Sequence, residues 1–504
     1  MKIKYILSVI AIVALTQNSF AQYSQDAIRF SQTVNGSTSR IKAVGNAGTA
    51  VGGDLSNISG NPAGLGFFTR SEVSITPEYD NSKSKSTYFG QANSATKNKV
   101  NLNNASLVLY NQLTKPRGAD KNKGWLSVNY GVAFNRTNNF DQNIHYGGTN
   151  NANSINNYYA NQANQYGVGD GDLTDMAYKQ NLIDQYDLGT TPPTSEFRSN
   201  NSLRSDNSLV PVAQEGFINR TGSQSAVDFS VGANYSNKLY LGLSLSFTDI
   251  NYNSFSTFYE DGSLSRFEGT PPAGVDRSYS SAYSQNQATR GTGFSAKVGV
   301  IYKPVEAVRL GATFTSPTFY NIDDTYNEGI ASSINNEATV SQNSGNYTLN
   351  YNLRTPLKLA GGAAVFIKNF GFITGDVEYV DYSTAHLSSN PDYNADRIDN
   401  PDIKGLYKSA INAHVGAEAR ITSFFLLRGG YGIQGDARKD YGSDIKTTSG
   451  GIGLRFGAYY VDATYAHSTG TQTIFAYDLG DTTSPAAMLR NSNNNAYLTL
   501  GYRF

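Results

Sequence analysis

The chain has 504 residues, 39% of them hydrophobic and only 16% charged, with a formal net charge of +0. That is too little charge for ordinary soluble domains, too polar for a helical membrane protein, and no electrostatic footprint for nucleic acid. Cysteine is absent, which excludes disulfides, thiol catalysis and cysteine metal sites, while 35 Tyr, 25 Phe and 49 Gly suit strands with one lipid-facing and one polar face.

Residues 1–21 read as a signal peptide. Lys2 and Lys4 precede the apolar run Tyr5–Leu15, and Ser19-Phe20-Ala21 supplies small residues before a cut; the apolar run is too short to span a bilayer as a helix. Residues 22–70 read as a plug, or hatch. Gln22–Arg40 is a short helix or an extended arm, and Asn46–Phe68 is rich in Gly, Ala and small polar residues with neither helical period nor strand alternation. Within it, Pro62 forbids a continuing helix and biases Asn61 toward extended backbone.

Residues 71–504 read as a barrel with long loops, because the period becomes two after Phe68. The runs begin at Val73, Ala105, Trp125 and Val227. Then Leu239, Leu241, Leu243, Leu245 and Phe247 alternate with small polar residues after a tight Ser236-Asn237 turn. Runs continue through Phe294–Tyr302, Val308–Ser316, Leu357–Ile367, Gly371–Asp381, Ala410–Arg420, Phe424–Ile433, Lys446–Phe456, Ala458–His467 and Asn495–Phe504. The fold class predicted is all-β: a transmembrane antiparallel β-barrel of about fourteen strands, with short turns on one side and long loops on the other. Strands of about ten residues suffice to cross the hydrocarbon layer. The predicted loops include Asn81–Val100, Arg136–Ser225, Tyr252–Thr292 and Pro317–Thr355. Inside the longest, Asp172–Gln185 reads as an amphipathic helix capped by Asp172, either lining a ligand or packing the loop.

The run Val44–Asp54, then Asn57 and Asn61-Pro62-Ala63-Gly64-Leu65, resembles the hatch of the FadL family of outer-membrane transporters, which includes the TodX-like channels. Gly311–Pro317, Thr355–Gly362, Asp376–Ser383 and Leu427–Tyr431 are similar to later segments of the same family. The resemblance implies a monomeric barrel in the bacterial outer membrane, in contact with its lipids and lipopolysaccharide, that takes up hydrophobic molecules: long-chain fatty acids by default, aromatic hydrocarbons in some members. It implies a lateral exit at a kink in the third strand, opposite the Asn61-Pro62-Ala63 turn, with Asn61, Pro62, Ala63, Gly64, Phe67 and Phe68 as the candidate hatch or gate residues. Gly131, the only interior glycine of Trp125–Arg136, is the candidate kink, or it makes room for the plug. The terminal Phe504 looks like the signal read by the barrel-assembly machinery.

A fatty-acid carboxylate needs a cation near an apolar pocket. Lys297, Arg309, Lys358 and Arg428 lie on the lumen phase, as do Arg420 and Arg455. Asp228, Asp376, Glu418 and Asp462 share that phase, so ordinary lumen ion pairs are the main competing reading. The four histidines lack metal-ligand spacing, Asp170-Gly171-Asp172 with Asp175 is an incomplete calcium loop, and nucleophile, phosphate-loop and zinc motifs are missing. No cofactor, metal or catalytic activity is expected. The other readings are a general porin, a loop-presenting surface barrel without lipid transport, and a barrel enzyme.

Overall fold

The computed structural model describes residues 21–34, 36–116, 120–189, 195–265, 276–391 and 393–504. The signal-peptide expectation over residues 1–20 and part of the Lys115–Gly124 connection lie outside the described residues.

Fourteen antiparallel strands close into a barrel. They are β1 (Glu72–Tyr88), β2 (Gln91–Leu109), β3 (Trp125–Asn139, continued by Gln142–Asn150), β4 (Val212–Tyr235), β5 (Leu239–Ser265), β6 (Asp276–Val305) and β7 (Val308–Thr315, continued by Phe319–Ile334). There follow β8 (Tyr347–Arg354, continued by Lys358–Ile367), β9 (Gly371–Asp381), β10 (Ser409–Arg420), β11 (Phe425–Gln434), β12 (Ile445–Phe456), β13 (Tyr459–Phe475) and β14 (Ala486–Arg503). Pairing of β1 with β14, from Glu72↔Arg503 to Thr87↔Met488, closes the cylinder. The Ser236-Asn237 turn has φ of 55° and 56°, the left-handed pair that a two-residue hairpin requires.

Alternation along each strand sorts side chains by solvent. Val73, Ile75 and Tyr79 on β1, Leu241, Leu243, Leu245 and Phe247 on β5, and Ile373 and Val377 on β9 are exposed apolar residues on the outer wall. Their inward neighbours Ser74, Thr76, Ser244, Thr374 and Asp376 are buried. An apolar exterior around a polar, filled lumen is a membrane barrel.

The strands run far beyond the predicted ten residues; β6 spans 30. Most of the loop predicted at Asn81–Val100 is strand, turning at Phe89-Gly90, and much of Tyr252–Thr292 and Pro317–Thr355 is strand as well. Beyond the bilayer these extensions no longer present a lipid face, so the alternation that marks the membrane segment fades (Ser82-Lys83-Ser84-Lys85-Ser86) while the hydrogen-bond ladder continues.

The outer ends of the strands are capped by packed connections. Helix α3 (Ile155–Tyr166), unpredicted, starts at a capping box made by Ser154 and Asn157. Helix α4 (Leu173–Lys179) takes Asp172 as its cap, as expected, but ends before Ile183, which begins a short ribbon strand. Leu173, Met176 and Ala177 are buried in an apolar cluster with Tyr159 and Ile330, so α4 packs the connection. Asp175 accepts from Gly171 N–H and pairs with Lys179 at 2.7 Å, and no metal-holding group of side chains occurs among the described residues.

Candidate functional site

The lumen holds two differently anchored pieces of the N-terminal segment. The first is the plug proper, residues 39–68, built from a helix of one turn (α2, Ser39–Ala43) and two 3-10 turns, Leu55–Ile58 and Pro62–Phe67. Asn61 caps the second turn by accepting from Ala63 N–H at 3.1 Å, with Pro62 as its first residue. The Asn61 amide also donates to Thr49 O at 2.7 Å. Gly64 lies against Asn57 within the plug. Phe67 stacks on Tyr240 at 3.7 Å, and Phe68 is buried with Ile58, Leu65, Val108 and Ala133.

The plug rests on a girdle of inward glycines. A Cβ at Gly242 would stand 2.2 Å from the Pro62 carbonyl carbon, one at Gly232 2.5 Å from Pro62 O, and one at Gly299 2.0 Å from Asn61 Oδ1. These three are cross-strand neighbours on β4, β5 and β6. Around the wall, Gly311 meets Thr49, while Gly416 and Gly430 meet Val44 and Gly45. Backbone touches backbone at Gly232, Gly242, Gly311, Gly416 and Gly430, an approach only glycine permits, and Gly299 makes the same room for the Asn61 side chain. Gly131 belongs to this set: its absent Cβ would lie 2.8 Å from Ile58 and 2.9 Å from Leu65. Pairing runs evenly through Gly131 on both sides, so this glycine makes room for the plug and does not kink the strand.

Polar contacts reinforce the seat. Arg40 of the plug bonds Glu418 at 2.8 Å and approaches Asp54 at 3.5 Å; Arg428 continues from Glu418 (2.7 Å) to Asp462 (2.7 Å), which Arg455 also meets. Ser59 donates to Asp228 at 2.7 Å and Thr49 N–H to Asp376 at 2.7 Å. Of the four cations proposed from sequence, all face the lumen and each is engaged. Arg428 pairs with two carboxylates, Glu418 and Asp462, and keeps one buried guanidinium nitrogen without a hydrogen-bond partner. Arg309 donates to Val51 O and sits over the rings of Phe67 and Phe366, at 4.2 and 3.8 Å. Lys297 donates to Ser59 O. Lys358 donates to Thr33 O at 3.1 Å and Thr33 Oγ1 at 2.7 Å.

The second piece is helix α1 (Ala21–Ser31) with the arm that follows it, residues 32–34 and 36–38. Gln22–Arg40 is thus helix and then arm. Tyr23, Ala27, Ile28 and Phe30 are buried among Phe140, Tyr252, Tyr320, Tyr351, Leu387 and Tyr393. Ser24 N–H donates to Asp399 at 3.0 Å, and Gln287 joins Asp26 (2.7 Å) to Asp324 (3.1 Å). Burial pushes the Asp26 carboxyl up. Burial also raises Asp399, on helix α5 (Asp399–Leu406), to about 6. Between α1, the arm and the plug is a small polar cavity of about 80 Å³, lined among others by Phe30, Thr33, Ser59, Lys297, Lys358 and Glu378.

The arm crosses a break in the barrel wall. The β2–β3 ladder is confined to Asn104↔Asn135 through Leu109↔Tyr130, although β2 continues outward to Gln91. Both strands are irregular at that level: β1–β2 pairing shifts between Thr76 and Pro77, leaving Asn103 as the extra residue, and β3–β4 pairing shifts between Arg136 and Asn138. Further out, side chains alone bridge the seam: Lys99 to Asp141 at 2.8 Å, Lys97 to Arg220 O at 2.6 Å, and Asn143 to Thr96 O at 3.2 Å. The arm lies at the fork. Val34 N–H donates to Thr137 O at 2.9 Å, Asn103 donates to Ser37 O at 2.6 Å, and Gly36 is pressed against Asn135.

Neither the girdle nor the seam is found by motif, yet both leave traces. The girdle glycines recur on the lumen phase in mid-strand. The outward residues of β2 change phase from Ala105, Leu107 and Leu109 to Val100 and Leu102, which marks the extra residue at Asn103.

No family model matches the chain, and no curated relative matches it. Among solved structures, a Pseudomonas aeruginosa FadL homologue aligns with a TM-score of 0.51 at 11% identity over 94% of this chain and 98% of its own. A deltaS2 mutant of the TodX monoaromatic hydrocarbon channel aligns with a TM-score of 0.54 at 12% identity over 93% of this chain and 99% of its own. The chain has the fold of a FadL-type barrel. The resemblance carried by Val44–Leu65 is thereby met in fold, and the closed fourteen-strand barrel with its apolar outer face is a protein of the bacterial outer membrane.

Proposed function

We propose that this barrel takes up hydrophobic molecules, long-chain fatty acids foremost, and releases them sideways into the membrane between β2 and β3, with no chemical reaction. The observation that carries the reading is the unzipped β2–β3 seam with the arm lying across its fork at Val34 and Ser37. A lateral exit keeps an acyl chain out of water, which saves about 0.8 kcal/mol per CH₂. A cavity of about 80 Å³ is far below the roughly 300 Å³ that a ligand pocket needs, so the structure corresponds to a closed state. Uptake requires α1 and the arm to withdraw from their aromatic surroundings.

Lys358 supports an anionic ligand. Its hydrogen bonds go to the neutral oxygens of Thr33, and a carboxylate is the stronger acceptor. A fatty-acid head taking Lys358 frees Thr33 and with it the arm. Arg428, already neutralised, is dropped as an anchor. Gating is assigned to the arm, with Asn61, Pro62 and Ala63 as the fixed seat against which it moves. In this reading the barrel works as a monomer, and the exposed Phe504 is a contact offered to the assembly machinery.

The test is uptake of a labelled long-chain fatty acid by cells whose outer membrane lacks another transporter. The expected result is uptake by the wild type, loss when the arm is tethered to β2, and folding in both cases by heat-modifiable gel migration. Failure of the folded wild type to import either fatty acids or aromatic hydrocarbons rejects the proposal.

A further inference from the structure

The outer wall at β12, β13, β14, β1 and β2 is dented. A groove of about 780 Å³ opens there, lined on the outside by Tyr79, Val100, Ile452, Tyr465, Ala496 and Leu498, with Gly450 and Ala463 keeping its floor low. Register places three more outward rows directly beyond it. The first is Thr448, His467, Asn494, Asn81 and Asn98, an amide belt in which Tyr465 donates to Asn494 at 2.8 Å, Asn494 to Asn81 at 3.1 Å and Asn81 to Asn98 at 2.5 Å. The second contains Lys446 and Lys83. The third sets Lys85 directly opposite Arg490.

Like charges facing each other across an antiparallel pair are destabilising. Here nothing relieves them: none of Lys83, Lys85, Lys446 and Arg490 forms an ion pair among the described residues. No Asp or Glu occupies an outward position in these rows. Glu78 and Asp80 lie on the same strand but point inward, buried, and accept from Asn495. The cations stand four to six residues beyond the groove, about 13–20 Å along a tilted strand. Apolar groove, amide belt and unneutralised cations thus follow one another from the membrane outward.

We propose that this face binds one lipopolysaccharide molecule of the outer leaflet, with acyl chains in the groove and the lipid A phosphates between Lys85, Arg490, Lys83 and Lys446. Cations for more than one phosphate favour this occupant over a glycerophospholipid with a single phosphate. The site is on the opposite side of the wall from the plug, so it stands whether or not the barrel carries fatty acids.

The experiment titrates the purified, folded full-length barrel with bisphosphorylated lipid A, dephosphorylated lipid A and phosphatidylglycerol, reading bound lipid by native mass spectrometry. The wild type is expected to hold one lipid A and to bind the dephosphorylated form at least tenfold more weakly. The triple variant Lys83→Gln/Lys85→Gln/Arg490→Gln is expected to lose that preference, and Ala463→Trp, which fills the groove and leaves the cations in place, to weaken both forms of lipid A. Should the triple variant not fold, Lys85→Gln alone is expected to give about a threefold loss. Lipid A binding unchanged in a folded cation variant overturns the proposal, and so does wild-type binding of phosphatidylglycerol as tight as that of lipid A.

Discussion

The two parts of the N-terminal segment share one lumen but are held by different physics. Residues 39–68 touch the wall backbone to backbone over the glycine girdle and are pinned by the ion chain from Asp54 to Arg455. Residues 21–38 are held by replaceable contacts: ring edges around Tyr23 and Phe30, amide bonds from Asn103 and Asn138, and the Lys358–Thr33 bond. A hydrophobic ligand can substitute for a ring contact and a carboxylate for a carbonyl, whereas neither replaces close backbone packing. The contrast separates a seat from a movable stopper.

The largest expected effect comes from breaking the seat. Gly242→Leu places a side chain where Pro62 already stands, and overpacking of this kind costs roughly 3 kcal/mol. The plug should leave its position, and the barrel should conduct ions in planar bilayers where the wild type does not. The matched control is Gly361→Ala, whose Cβ meets nothing within 4 Å and which should change stability by less than about 0.5 kcal/mol.

Fixing the stopper is the next largest. Natural cysteine is absent, so Ser37→Cys with Asn103→Cys, joined by a short bifunctional thiol reagent, tests the arm alone. Uptake should fall more than tenfold and return when the link is reduced, with single-channel closure unaffected. Uptake that survives the link would assign gating elsewhere.

A smaller effect is expected at the cation. Lys358→Gln keeps a donor for Thr33 but removes the charge, a difference of about 1 kcal/mol or roughly fivefold in fatty-acid uptake at limiting ligand. Import of an uncharged aromatic hydrocarbon should not change. Equal losses for both ligands would make Lys358 a structural residue.

The smallest effect is in pH. Asp399, which accepts Ser24 N–H, titrates near 6 when folded against about 4 in an open chain. Its carboxyl is favoured neutral in the docked state, so its contribution to holding α1 is full below about pH 4 and is lost as pH rises through 6. Protection of the amides of residues 23–31, taken relative to intrinsic base-catalysed exchange, should therefore fall between pH 4 and 6 by about 1 kcal/mol, allowing for solvent screening. Asp399→Asn should flatten that dependence.

The barrel was legible because alternation is imposed by a lipid outside and a plug inside: Leu239–Phe247 and Trp125–Phe134 carry their facing in the order of residues. The Asn61-Pro62-Ala63 turn, the Asp172 cap and the inward phase of Lys297, Arg309, Lys358 and Arg428 were legible for similarly local reasons. Strand extensions such as Ser82–Tyr88 were not, since their partners and not their own residues decide that they pair. Helix α3 escaped because its apolar face is mostly tyrosine and alanine. The role of Gly131, the pairing of Arg428 with two carboxylates, the fork at Asn103 and the meeting of the arm with that fork depend on residues far apart in the chain. Local periodicity specifies which face of a strand meets lipid. Only closure of the sheet around residues 21–68 specifies what each inward side chain meets, because that contact is made across the lumen and not along the chain.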